Sequence, residues 1–241
     1  MNEFVSYQFA DGVATIVIDD GKVNALSTAM LTALNGALDR AAADGAVVIL
    51  TGRPGIFSGG FDLATLRAGG GDAALMLEQG FQLALRLLEH PSPVVIACNG
   101  HAVAMGLFLL LSGDYLIGAE GPYRLVANEV AIGLTLPLVA IELCRHRVTP
   151  SHFIRVVGLA EAFSPSGAVA AGFLDLVVEP GDLSGRAHAT AAGLARLDRS
   201  AHAATKRLAR ADVVKSVRAA LAIDLPSFHN LAVATEGSAG F

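Results

Sequence analysis

The chain has 241 residues, 53% of them hydrophobic and only 16% charged, with a net charge of −5 at pH 7 and a pI near 5.8. That is apolar sequence enough for a sizeable core in one, or one and a half, ordinary domains, and too acidic a balance to attract nucleic acid globally, so an anionic ligand has to be held locally. Glu3 stands where an export signal wants bases, and Cys98 and Cys144 are isolated thiols in apolar surroundings, which argues against a disulfide framework or a cysteine metal site and for a reducing cytoplasm.

Residues 5–9 and 13–18 run apolar or alternate around Asp11-Gly12, a two-residue signal for a β-hairpin. Asp20-Gly21-Lys22 turns the chain, Ser27 is placed to cap a helix carrying Met30, Leu31, Leu34 and Leu38 at helical spacing, and Asp44-Gly45 stops it. A strand over 47–51 then leads into the loop Ile56-Phe57-Ser58-Gly59-Gly60-Phe61-Asp62-Leu63. Its paired glycines permit turns closed to other residues and let a ligand approach the main chain, and an outward N–H at Phe61 is a fixed dipole suited to an oxygen anion.

Gly69-Gly70-Gly71 reads as a loop, since neither a dinucleotide fingerprint nor a P-loop lysine accompanies it. Residues 75–89 read as a helix burying Leu77, Phe81, Ala84, Leu85 and Leu88 and ending at His90-Pro91. The β-branched run 94–97 precedes a second loop of the same kind, Asn99-Gly100-His101-Ala102-Val103-Ala104-Met105-Gly106, before an apolar helix at 107–111. The run 91–113 is uncharged and long enough to cross a bilayer, but its prolines and Asn99-Gly100-His101 divide it into strand, loop and helix.

Asp114, in a stretch leading back to a strand, reads as structural. Residues 125–133 hold one carboxylate, Glu129, in an apolar setting, where it is costly unless neutral or paired. Glu142 stands in a similar setting. Ser164-Pro165 caps a further helix, 173–178 reads as a strand, and after Gly181 the chain turns alanine-rich, with helices expected at 187–197, 201–210 and 214–223. No GxSxG elbow, HExxH or metal-ligand cluster occurs, so no metal is expected.

Residues 14–18, Lys22-Val23-Asn24-Ala25-Leu26, the two glycine loops, the Asn128-Glu129 segment with Leu134-Thr135-Leu136-Pro137 after it, and residues 168–175 follow one another in an order that resembles the crotonase superfamily, also called the enoyl-CoA hydratase/isomerase family. The resemblance covers most of the chain. It implies an α/β fold, with a spiral of ββα repeats over residues 1–185 that binds acyl-CoA and a helical C-terminal trimerisation region over 186–241, assembled as a homotrimer or dimer of trimers. It places the thioester carbonyl between the N–H groups of Phe61 and Met105. A glycine is usual at the second position, so the methionine side chain would narrow the pocket. Substrate contacts are implied at Val23, Ala25, Gly59, Gly60, Leu63, Gly106 and Phe108, with no cofactor beyond the CoA of the substrate. Lys22, Arg67 or Lys206-Arg207 could meet its phosphates, although a stripe of Lys206, Arg210 and Lys215 also reads as a solvated face.

Hydratases of this family use two glutamates, and the first of those positions aligns with Phe108. Glu129 is the one that remains, and an isomerase that moves a double bond from carbon 3 to carbon 2 needs only one. The expectation is an isomerase with Glu129 as base, its pKa raised by apolar neighbours. A hydratase, with Glu142 reaching the site, and a non-catalytic acyl-CoA-binding homologue are the alternatives. His101 reads as a satisfied loop side chain.

Overall fold

The computed structural model describes residues 4–234. Strands β1 (Val5–Ala10) and β2 (Val13–Ile18) form the expected hairpin, with Asp11 and Gly12 both at positive φ as the tight turn requires. Helix α1 (Thr28–Asp44) begins at Ser27, whose hydroxyl accepts from the Met30 N–H at 3.2 Å, and ends at Gly45 in the left-handed region.

From there one step recurs three times. Strands β3 (Val47–Thr51), β5 (Val94–Cys98) and β7 (Tyr115–Ala119) each hand the chain to a partner in a second sheet, namely β4 (Gly55–Ser58), β6 (Gly100–Val103) and β8 (Leu125–Val126). The first members join β1, β2 and β9 (Leu176–Val178) in a six-stranded sheet ordered β1-β2-β3-β5-β7-β9, parallel except at the hairpin, and the second members form a parallel three-stranded sheet. Helices follow each step: α2 (Leu63–Ala68) and α3 (Gly70–Glu89), then α4 (Met105–Leu111), then α5 (Leu138–Arg147), α6 (Pro150–Val157) and α7 (Pro165–Ala171). This is the spiral of ββα repeats.

Both faces of the larger sheet are covered, so its strands read as continuous apolar runs. Val48, Leu50 and Ile96 point into the main core with α1, α3 and α4, while Val47, Ile49, Val95 and Ile117 point the other way, onto Leu183, Ala187 and Ala191 of α8 (Leu183–Leu194). Helix α9 (Arg199–Ala209) leads to α10 (Ala211–Ala234), which buries Val217, Ala220, Leu221 and Phe228 against α3 and α5 of its own chain.

Several expectations are corrected. Gly70 and Gly71 are the first turn of α3, not a loop, because the helix is held by eleven buried residues further on, from Ala73 to Leu88. The strand expected over 173–178 shrinks to β9, since Asp175 is engaged in accepting from the Leu116 N–H and pairing with Arg147 at 2.8 Å. Lys206 and Arg210 are no solvated stripe: Lys206 is 8% exposed and meets Asp114 at 2.6 Å, and Arg210 meets the other oxygen of that carboxylate at 2.9 Å. Lys206 is thereby removed from the candidates for a CoA phosphate. Asp114 also accepts from the Val94 N–H, in keeping with its structural reading. The uncharged run at 91–113 is strand, loop and short helix, and among the described residues no helix is long and apolar enough to cross a membrane.

Candidate active site

The first glycine loop is fixed from below by Asn24. That side chain is fully buried, at positive φ, and its amide donates to the carbonyls of Ile18, Ile56 and Phe57 at 3.0 to 3.2 Å. Ser58 donates to the Asn24 carbonyl at 2.8 Å and accepts from the Gly60 N–H at 3.2 Å, while Gly59 N–H donates to the Val23 carbonyl and Leu26 N–H to the Gly60 carbonyl, each at 2.8 Å. The loop is thus stitched to the segment carrying Val23 and Ala25. Val23 and Leu63 flank it with roughly half their surfaces exposed, 54% and 53%, as side chains waiting for a large ligand would be. Asn24 was not assigned a role from the sequence. An asparagine in a tight turn beside the loop was the available signal.

Two glycines bring the second loop against the first, and a third seats the Phe61 ring. A β-carbon on Gly106 would lie 2.4 Å from the Ser58 carbonyl, so only glycine lets the start of α4 rest on β4. One on Gly60 would lie 3.4 Å from the Met105 nitrogen. The Met105 nitrogen therefore lies across a narrow gap from Gly60, the residue before Phe61. A β-carbon on Gly80 of α3 would strike the Phe61 ring at 2.4 Å, so that glycine provides the seat for the ring. Met105 is fully buried and its amide is the first of α4, where no helical acceptor exists. Neither it nor the Phe61 amide finds an acceptor among the described residues. A buried N–H without a partner is rare and costly, and the Met105 amide at the start of α4 is in that position.

Glu129 follows three residues after Val126, whose carbonyl accepts from the Ala104 N–H at 2.9 Å. Three residues of chain reach at most about 10 Å, so Glu129 has its backbone within that distance of Val126. It lies partly buried before a 3-10 turn (Val130–Ile132), with Oε2 buried and unpartnered, and burial pushes its pKa up to about 7. Its charge adds to the burial that raises the Cys144 thiol on α5, which places that helix beside it. Asn128 also holds a buried oxygen without a partner.

The other candidates have partners of their own. Glu142 pairs with Arg145 at 3.1 Å. His101 accepts from the Arg124 N–H at 3.0 Å and packs edge-on to Tyr123, a satisfied loop side chain. Phe108 is 1% exposed and stacks on Phe81, which in turn packs on Phe61 and Phe228 with ring centroids 5.9 to 6.2 Å apart. Phe108 is thus part of an aromatic core. No cluster of metal-ligating side chains occurs among the described residues.

Known proteins are similar to this chain in sequence and fold. The sequence profile described as enoyl-CoA hydratase/isomerase matches residues 8–241. An enoyl-CoA hydratase/isomerase family protein from Pseudomonas syringae superposes with a TM-score of 0.92 at 48% identity, over 93% of this chain and 98% of that one. The apo structure of an enoyl-CoA isomerase from Mycobacterium tuberculosis does so with a TM-score of 0.89 at 46% identity, over 94% and 99%. A probable enoyl-CoA hydratase of Rhodobacter capsulatus is 29% identical over 222 residues, 91% of this chain and 86% of its own length. The chain belongs to the enoyl-CoA hydratase/isomerase family.

Proposed function

We propose that this protein is an acyl-CoA enzyme that converts 3-enoyl-CoA to 2-enoyl-CoA, with Glu129 as its single base and the amides of Phe61 and Met105 as its oxyanion hole. The observation that carries the reading is the Glu129 carboxyl, partly buried, with no ion pair among the described residues and its pKa pushed by burial up to about 7. Such a group takes a proton from carbon 2 when ionised and gives it back at carbon 4 when neutral. As the proton leaves, the electron pair moves onto the thioester oxygen, where two pre-aimed N–H groups receive it. When the proton returns at carbon 4 the double bond settles between carbons 2 and 3. Hydration asks more, since one group must orient water while a proton is delivered to carbon 2. Phe108 is apolar, and Glu142 is held by Arg145. Losing one positioned acid or base costs about 10²–10⁴-fold.

Hydratase remains the second reading, because that is the name borne by relatives such as the R. capsulatus protein. A non-catalytic acyl-CoA binder would suit a Glu129 turned away from the site or locked in a salt bridge, and among the described residues it has no salt bridge. We place Val23, Ala25, Gly59, Gly60, Leu63 and Gly106 at the substrate, Lys22 and Arg67 near its phosphates, and the assembly as a trimer or dimer of trimers built through residues 186–241. Assays of 3-hexenoyl-CoA isomerisation and crotonyl-CoA hydration, on wild type, Glu129→Gln and Glu142→Gln, test the chemistry. Isomerisation should exceed hydration and vanish in Glu129→Gln while acyl-CoA still binds. Strong hydration, lost equally in both variants, would favour the second reading.

A further inference from the structure

Ala104, the residue before the second amide, has φ 50° and ψ −123°, a conformation that suits glycine and strains any residue with a β-carbon. Its neighbours over-determine it. The Ala104 N–H donates to the Val126 carbonyl at 2.9 Å, and its own carbonyl accepts from Leu107 N–H at 2.9 Å and Phe108 N–H at 3.2 Å. In a planar trans peptide the N–H points opposite to the C=O. Because the Ala104 carbonyl is turned into α4, the Met105 N–H is turned out of it, towards the gap shared with the first loop. At this ψ the methyl group nearly eclipses the Met105 nitrogen, so it stands on the N–H side of the peptide, facing the first loop. A β-carbon built on Gly60 would lie 3.0 Å from it, so the Ala104 methyl and the Gly60 backbone are the surfaces on which the two loops meet.

We infer that Ala104 is a positioning residue for the proposed reaction, its methyl acting as the spacer that sets the separation and tilt of the Met105 N–H relative to the Phe61 N–H. The inference rests on reading those two amides as the oxyanion donors. A glycine at 104 would relieve the backbone strain and remove the spacer together. Stability and catalysis are then pushed in opposite directions, which a residue with a merely structural role would not do.

The variants are Ala104→Gly and Ala104→Ser, the latter keeping a β-carbon and the positive φ. Loss of a whole oxyanion donor lowers kcat by about 10²–10³, and a displaced donor retains part of its effect, so Ala104→Gly should lower kcat about tenfold. KM should stay within about twofold and the melting temperature should hold or rise, since the ground-state contacts are untouched and strain is released. Ala104→Ser should recover most of the lost rate. Bound 2,4-hexadienoyl-CoA gives a readout free of turnover: its ultraviolet band shifts to the red as the carbonyl is polarised, and the shift should shrink in Ala104→Gly and return in Ala104→Ser. If wild type shifts the band and Ala104→Gly shifts it equally, or keeps its kcat, the spacer is refuted while the oxyanion reading stands. A loss of rate matched by a fall in melting temperature would also refute it. If wild type binds the probe without any shift, or fails to bind it, the donors themselves are misassigned and both readings fall.

Discussion

Replacing Glu129 by glutamine should make the protein more stable while removing its activity. A glutamate carboxyl that titrates at 4.5 in the unfolded chain and at about 7 in the folded one is held more tightly as the acid by the folded state. Between those values folding takes up a proton, so stability falls as pH rises through the window and the loss is complete above the folded pKa. Each factor of ten in proton affinity is about 1.4 kcal/mol, which puts the cost of keeping Glu129 ionised at pH 8 at about 3 kcal/mol. Glutamine has the same shape and no charge to desolvate. Glu129→Gln should therefore gain up to about 3 kcal/mol at pH 8, a rise of about 6–10 °C in a chain of this size. At pH 5, where the native group is already neutral, the gain should fall below about 1 kcal/mol. Differential scanning fluorimetry of both proteins from pH 5 to pH 8, with calorimetry to confirm that acyl-CoA still binds, measures this. If Glu129→Gln is no more stable than wild type at pH 8, or the gap does not change with pH, the carboxyl is not desolvated and the base lies elsewhere.

For isomerisation, kcat/KM should rise with pH, gaining about tenfold per pH unit below 7 and levelling above it, because only the carboxylate removes a proton; a profile flat from pH 5 to pH 8 would exclude Glu129. Asp114→Asn should cost about 3–5 kcal/mol in urea unfolding, since it leaves Lys206 and Arg210 buried without a counter-charge, and Lys206→Met should cost less. Phe108→Glu should not create a hydratase. It forces a charge against the Phe81 ring in the core and should lower the melting temperature by about 10 °C or more, with no gain in crotonyl-CoA hydration.

Features that arise from neighbours in sequence were the legible ones. Asp11-Gly12, the Ser27 and Ser164 caps, the Gly45 stop and the alternation of β-branched runs with glycine loops each depend on a few adjacent residues, and each is found in place. The burial that raises the Glu129 pKa is found too, although Val130 and Ile132 beside it in sequence are themselves exposed. What failed depends on distance. Lys206 meets a carboxylate 92 positions earlier, and no local pattern separates a buried cation from a solvated one. Gly70 and Gly71 are helical because of packing that begins beyond them. The seat that Gly80 makes for Phe61 and the turned peptide at Ala104 arise only where separate loops cross.

The outer face of the six-stranded sheet also bears on the order in which the chain is made. Val47, Ile49, Val95 and Ile117 leave the ribosome long before Leu183, Ala187 and Ala191, which cover them, and Asp114 emerges 92 residues ahead of Lys206. A nascent chain with both sheets complete therefore still presents an open apolar layer and a carboxylate lacking its cations. Such a species is prone to aggregate and to need a holding chaperone. Closure comes from residues beyond 183, so mutations in α8 and α9 should reduce yield more than activity per folded molecule, however far they lie from Glu129.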